Sequence, residues 1–485
     1  MLVGFIALYL LVTIAIGLLA ARKVHSSADY IVAGRSLPMY VTIATVFATW
    51  FGSETVLGTS STFLKEGIGG IISDPFGAAM CLIIVGTLFA APLYRMKLLT
   101  IGDFFRRKYG RTIEILVSVA IMISYLGWVA AQITALGIVF NVVTDGNLTT
   151  EYGMYLGGGI VLLYTLFGGM WSVAITDFLQ MMMIVIGMII IAYFVAGKAG
   201  GADVVINHAI KAGKFNNFVP KLELKETLAF IAAWVTMGFG SVPQQDVFQR
   251  VMSAKDEKTA KYGSIIGGVL YFLFAFIPIF LAYSAFIIDP TLVNEWLDKD
   301  SQMVLPHLIM KHTPMLVQVV FFGALLSAIM STASGTLLAP SAMFSENIVR
   351  GTLPHLSDKT FLLLLRGTVV AFAGLVLIYA LNSELSIFGM VENAYQVTLV
   401  GGFVPLLAGV YWKRANTAGA TLSIVMGVMA WLFLLFTLPE GIMPPQLGGL
   451  IFAFIGMGIG GFLGKQHGEH HHHHKEHSVS PPQSP

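Results

Sequence analysis

Apolar runs of about 20 residues follow one another along almost the whole chain, separated by short polar stretches. A hydrocarbon core about 30 Å thick is crossed by a helix of about 20 mostly apolar residues. Backbone polar groups in lipid must be satisfied inside the segment, which selects helices. The pattern predicts spans over residues 2–21, 39–63, 70–94, 113–142, 153–167, 172–196, 227–248, 262–288, 315–348, 361–381, 385–411, 418–437 and 446–463. The expected fold is an all-α polytopic membrane protein with about 13 transmembrane helices. It forms a single membrane domain over residues 1–464 with a polar tail over 465–485. The first run lacks a basic leader and a small-x-small cleavage site and ends at Arg22 and Lys23, so it reads as a retained span.

Two spans carry a polar, glycine-bearing interruption. One reads Thr49-Trp50-Phe51-Gly52-Ser53-Glu54-Thr55 and the other Gly238-Phe239-Gly240-Ser241-Val242-Pro243-Gln244-Gln245-Asp246. With the first span set aside, these segments open the first and sixth members of a ten-helix core. An inverted five-plus-five repeat, here about 39–197 and 227–411, places its two broken helices there. Interrupted backbone at membrane depth is tolerated where it lines a cavity. Ordinary glycine-mediated packing with a proline kink is the simpler alternative. Matching position, the proline and the acids beside both breaks favour the cavity.

Composition agrees with a membrane domain: 56% of the 485 residues are hydrophobic and 11% charged, against about 25% charged in soluble domains. A net charge of +2 gives no case for nucleic acid, and the single cysteine, Cys81, excludes an internal disulfide. Of 28 Lys and Arg, 19 fall on one side of the predicted spans, Arg250 among them, and 8 on the other. That bias puts the N-terminus outside and the C-terminus in the cytoplasm of a cell membrane. No Ser-His-acid, His-Glu-x-x-His or P-loop pattern points to an enzyme. Five consecutive histidines at 470–474 suit Zn²⁺ or Ni²⁺, but the surrounding tail reads as disordered and supplies no fixed geometry.

The chemistry concentrates in the ninth span and at the breaks. Ala328, Ser331 and Thr332 stand at i, i+3 and i+4 and share one helix face. Two hydroxyls and a carbonyl are hard ligands for an alkali cation, and a neutral set avoids the cost of a charge in lipid. The simpler reading has these hydroxyls bonding back to the preceding turn. Glu54, Asp74, Gln244, Gln245 and Asp246 are the intramembrane polar candidates. Asp74 also reads as an N-cap. Asp246, four residues before Arg250, also reads as a cytoplasmic vestibule residue.

From about residue 2 to 464 the chain resembles the sodium/solute symporter family. The resemblance rests on Tyr164-Thr165-x-x-Gly168-Gly169-Met170-x-Ser172-Val173-Ala174-x-Thr176-Asp177-x-x-Gln180, on Ala328-x-x-Ser331-Thr332, and on Lys413-x5-Gly419-Ala420 with Gly427. It implies a leucine-transporter-like fold, alternating access and Na⁺-coupled symport of a small organic solute. Carried over residue by residue, it implies Na⁺ held by the carbonyls of Ala48, Phe51 and Ala328 and the hydroxyls of Ser331 and Thr332, with Asp177 in support. Within the family the likeness is nearest to high-affinity choline-transporter-like members. Shared pieces are Ala48-Thr49-Trp50, Gly127-Trp128-x-Ala130-Ala131, Phe248-Gln249-Arg250-Val251 and Ser341-Ala342-Met343-Phe344. Trp50 and Trp128 fall on two positions of an aromatic cage, whereas a third cage tryptophan appears as Gln244 and a tyrosine as Ala78. The expected solute site comprises Trp50, Glu54, Asp74, Trp128, Phe239 and Gln244. A cationic or choline-like solute is the first reading, and an amino acid or other polar solute the alternative. A solute sensor or channel-like protein without coupled transport is the alternative of another class. The implied partners are the solute, Na⁺ and the lipid bilayer, with no obligatory protein partner evident.

Overall fold

The computed structural model describes residues 1–464; the histidine-rich tail lies outside the described residues. Among the described residues, ten helices are long and apolar enough to cross a membrane. The other three expected spans take a different form. Residues 150–166 form a helix of 17 residues, and the two interrupted segments are each split. The first runs as Met39–Trp50 and resumes from Glu54 to Glu66. The second runs as Leu224–Gly238 and resumes as Gln245–Met252. Both breaks thus fall where glycine and polar residues interrupt the apolar run.

Burial separates core from rim. The most apolar window of the Met315–Thr352 helix is 72% buried, against 28% for Leu2–Lys23 and Thr417–Thr437. The first is therefore the axis of the bundle and the other two face lipid along most of their length. The Met315–Met343 helix packs against Arg111–Val143 and Gly169–Lys198. The last two helices, Thr417–Thr437 and Pro445–Leu463, form a close pair, with Gly460 set against Gly419. Small residues allow such close backbone approach where lipid leaves little hydrophobic drive for association.

The broken helices are strapped together at one end. Leu37, just before the first, donates its N–H to the Ser253 carbonyl at 3.0 Å. Lys255, just after the second, donates to the Leu37 carbonyl at 2.9 Å. The loops also contain helices that the hydropathy pattern does not show: Ile101–Tyr109, Ala202–Lys211, Pro290–Asp300 and Val304–His312. The first of these has a Thr100–Asp103 capping box, which satisfies its leading N–H groups.

Candidate functional site

The first break begins where Met39–Trp50 ends. Phe51 leaves the helical region at φ −78°, ψ 78°, so its carbonyl turns off the helix direction. Gly52 closes the turn with an N–H bond to the Trp50 carbonyl at 2.8 Å. A Cβ at Gly52 would stand 2.6 Å from Thr332 Oγ1 and 2.9 Å from Glu54 Oε2. Glycine is therefore what lets the break sit against the axial helix. There Thr332 Oγ1 donates to the Ala48 carbonyl at 2.8 Å, and Ser331 Oγ donates to the Ala328 carbonyl at 3.0 Å. The structure thus brings Ala48, Ala328, Ser331 and Thr332 together beside the turned backbone of Phe51. All five residues are fully buried.

Asp177 lies behind this cluster. Its Oδ2 accepts from Thr45 Oγ1 at 2.7 Å and lies 3.6 Å from Arg250 Nη2. The same Nη2 donates to the Ser331 carbonyl at 2.6 Å, and Gln249 Nε2 donates to the Gly335 carbonyl at 3.1 Å. Arg250 and Asp177 are both 0% exposed. This corrects the charge count above, where Arg250 stands among cytoplasmic loop residues. The Gln245–Met252 helix folds back into the protein, and the guanidinium finds a carboxylate and a carbonyl there. Asp246 is corrected in the same way. It is fully buried rather than in a vestibule: Tyr125 OH donates to its Oδ1 at 2.5 Å, and its backbone N–H donates back to that hydroxyl at 2.8 Å.

Trp50 and Trp128, both expected in the solute site, are brought together, and Tyr395, which the sequence reading did not single out, joins them. Trp50 and Trp128 have ring centroids 5.1 Å apart, and Tyr395 closes a triangle at 5.9 and 4.8 Å from them. All three are at most 1% exposed, and neither indole N–H has a hydrogen-bond partner among the described residues. The signal for Tyr395 was a polar patch, Glu392, Asn393 and Gln396, inside a predicted span. Gln244 is already engaged. Its Nε2 donates to Ser124 Oγ at 3.1 Å and to Thr398 Oγ1 at 3.0 Å, and its Oε1 accepts from Ser124 at 3.3 Å. Phe239 is not brought to the triangle; it stacks on Phe403 at 4.7 Å and is half-buried.

Glu54 and Asp74 complete the polar side. Gln132 Nε2 donates to Glu54 Oε2 at 2.9 Å, while Gln132 Oε1 accepts the Ser53 N–H at 3.0 Å. Tyr271 OH donates to Asp74 Oδ1 and lies 3.3 Å from Thr55 Oγ1. Asp74 is not an N-cap. It sits in extended backbone, φ −147°, ψ 117°, before Pro75, and its side chain makes no capping bond to a backbone N–H. The residue before a proline is pushed to such extended geometry. Gln132 and Tyr271 carried no sequence signal, since each is one of several scattered polar groups in a long, mostly apolar helix.

The geometry agrees with comparisons to known proteins. The family described as "Sodium:solute symporter family" matches residues 30–427. The "High-affinity choline transporter 1" of Caenorhabditis elegans is 29% identical over 450 residues, covering 88% of this chain and 76% of that one. The "Sodium/pantothenate symporter" of Escherichia coli (strain K12) is 25% identical over 442 residues, covering 86% and 87%. Among solved structures, a substrate-bound, outward-open Na⁺-coupled sialic acid symporter superposes with a TM-score of 0.81 at 19% identity, covering 96% of this chain and 98% of that one. With the broken-helix fold, the oxygen cluster and a match across most of its length, the chain belongs to the sodium:solute symporter family.

Proposed function

We propose that this Na⁺-coupled symporter moves a small organic cation, held against Trp50, Trp128 and Tyr395. Family membership supplies Na⁺-coupled symport of a small solute; the aromatic triangle supports the solute class. An ammonium against a well-placed ring gains about 0.5–2 kcal/mol, so three converging rings suit it. Glu54, across the break from Trp50, carries a buried carboxylate oxygen, Oε1, with no partner among the described residues, and adds negative potential. An amino acid or other polar solute would ask more of Gln244, whose amide is taken by Ser124 and Thr398. One of the relatives named above is a high-affinity choline transporter, which agrees with an ammonium group.

Na⁺ is cargo in this scheme. Its ligands are the carbonyls of Ala48, Phe51 and Ala328 and the hydroxyls of Ser331 and Thr332. The hydroxyl–carbonyl bonds made there now are exchanged for bonds to the ion, so no buried oxygen is left unsatisfied. The chain sits in a cell membrane with its N-terminus outside. Its repeats, about 39–197 and 227–411, move about the two breaks in alternating access.

The test is calorimetric titration of the purified protein with choline and with its neutral isostere 3,3-dimethylbutanol, in Na⁺ and in K⁺. Choline should bind in Na⁺ and weakly in K⁺, the isostere weakly in both. Trp128→Ala should cost about 0.5–2 kcal/mol of choline binding. Equal binding of the charged and neutral compounds would sink the cationic reading. Equal choline uptake into proteoliposomes under Na⁺ and K⁺ gradients would sink the coupling and favour a channel-like protein.

A further inference from the structure

Apart from the neutral oxygen cluster at Ser331 and Thr332, two intramembrane carboxylates, Glu54 and Asp74, stand buried with no ion-pair partner among the described residues. Glu54 is 0% and Asp74 1% exposed. Each has one oxygen bonded, Glu54 Oε2 to Gln132 and Asp74 Oδ1 to Tyr271, and one oxygen, Oε1 and Oδ2, that makes no well-formed hydrogen bond among the described residues. A third buried oxygen, the hydroxyl of Thr59, stands beside Asp74 and makes no well-formed hydrogen bond among the described residues. Buried polar groups are satisfied in the great majority of cases, and a buried carboxylate without a counter-charge is far costlier than a neutral group. Three such oxygens on two adjoining segments therefore need a common explanation.

The backbone is built to converge them. Glu54 and Thr59 are the two ends of one π turn, Glu54–Thr59, and Asp74 lies in a second, Ile72–Gly77. The two turns pack on each other. π turns re-aim side chains and occur frequently at functional sites. Tyr271 reaches both, through Thr55 and Asp74. The donors are oxygen only, two of them anionic, which is the preference of a hard cation. The buried base of the core, Arg250, is spent on Asp177 and the Ser331 carbonyl and lies on the other side of the first break. We propose that Glu54 Oε1, Thr59 Oγ1 and Asp74 Oδ2 hold a second Na⁺, distinct from the one at Ala48, Phe51, Ala328, Ser331 and Thr332. Two carboxylates with one Na⁺ leave a net charge of −1 beside the aromatic triangle, and an organic cation neutralises it. The second ion thus rests on the Na⁺-coupled reading and adds to it: each solute moves with two Na⁺.

The experiment counts bound ²²Na⁺ per chain on the purified full-length protein, with choline binding followed in parallel. Wild type should bind two Na⁺, and its Na⁺ dependence of choline binding should have a Hill coefficient near 2, falling to about 1 in each single-site variant. Thr59→Val and Asp74→Asn, both close in shape to the native residues, should each remove one Na⁺. Ser331→Ala with Thr332→Ala should remove the other. One Na⁺ in wild type overturns the proposal, as does retention of two by Asp74→Asn. One Na⁺ with proton release on solute binding that Asp74→Asn abolishes means that the pair binds a proton, which also overturns it. No Na⁺ bound by wild type would instead overturn the Na⁺ coupling on which the proposal rests.

Discussion

Arg250 brings a full positive charge to within hydrogen-bond distance of the Ser331 carbonyl, beside the oxygens proposed to hold Na⁺. That charge opposes a second cation unless it is offset, and Asp177 offsets it from 3.6 Å. Removing one partner of a buried pair leaves an uncompensated charge and costs about 3–5 kcal/mol. Asp177→Asn should therefore lower thermal stability and raise the Na⁺ concentration for half-maximal uptake by tenfold or more. Solute affinity at saturating Na⁺ should stay within about twofold, since about 1.4 kcal/mol is a factor of ten and Asp177 makes no contact with the aromatic triangle. Adding Arg250→Gln should recover much of both losses. A single variant with unaltered Na⁺ dependence would show that the pair is only a packing element. At this scale the sequence showed what is local. Ala328, Ser331 and Thr332 share a face by spacing alone, and the two tryptophans were readable from their motifs. Arg250 looked like a loop cation because its helix is short and polar, and Tyr395 and Tyr271 sit far along the chain from what they touch. Long-range pairing leaves no periodicity to read.

The elements that matter are the two interrupted helices, and their interruptions were legible because glycine, proline and acids are anomalous in an apolar run. Their consequences were less so. Thirteen apolar runs became ten long helices with three short or split ones, since hydropathy averages over a break that backbone geometry does not. Gly52 tests how tightly the first break is fitted. A Cβ there meets Thr332 Oγ1 at 2.6 Å and Glu54 Oε2 at 2.9 Å, both below ordinary contact. Gly52→Ala should push the break off the axial helix and lengthen the Thr332–Ala48 contact. In a well-packed interior such overpacking costs about 1–3 kcal/mol. Because Thr332 and Ala48 are both in the proposed cation set, the loss should appear in Na⁺ affinity before solute affinity. Titrating Na⁺-dependent choline binding in this variant checks it; a loss confined to solute affinity in saturating Na⁺ would place the break against the solute instead.

Across the whole molecule, the two ends of the bundle differ in how they are held. At the end bearing the 95–111 basic segment, Arg106 lies 3.2 Å from Asp103, 3.2 Å from Glu114 and 3.9 Å from Glu346, and Arg111 lies 2.6 Å from Glu114. Asn347 ties this cluster together, donating to Asp103 at 3.1 Å and Glu114 at 2.9 Å and accepting from Thr100 at 2.7 Å. The opposite end has a cleft of about 480 Å³ lined by Ser61, Glu66, Ser73, Ser386 and Glu392, which reaches the residue next to Asp74. The basic end has its own recess of about 830 Å³, bordered by Leu93, Phe104, Arg106 and Arg111, so what sets this end apart is the network across it, whose hydrogen bonds go to carboxylates that are nearly or fully buried. Asn347→Ala removes a donor from each of Asp103 and Glu114 while their arginine partners remain, and a hydrogen bond to a charged group contributes about 1.5–3 kcal/mol. That loss falls only on the closed arrangement, because water can solvate the carboxylates once the 100–114 and 344–350 segments part. A bias of about 1.4 kcal/mol changes a two-state ratio tenfold. In a Cys81→Ser background, a cysteine placed at Leu93, inside the basic end, should react several-fold faster with a charged maleimide when Asn347→Ala is added. A cysteine at Ser386, in the opposite cleft, should react more slowly in the same variant. Two rates rising together would indicate general loosening rather than a shift between inward and outward states, and two unchanged rates would mean that Asn347 is no part of the gate.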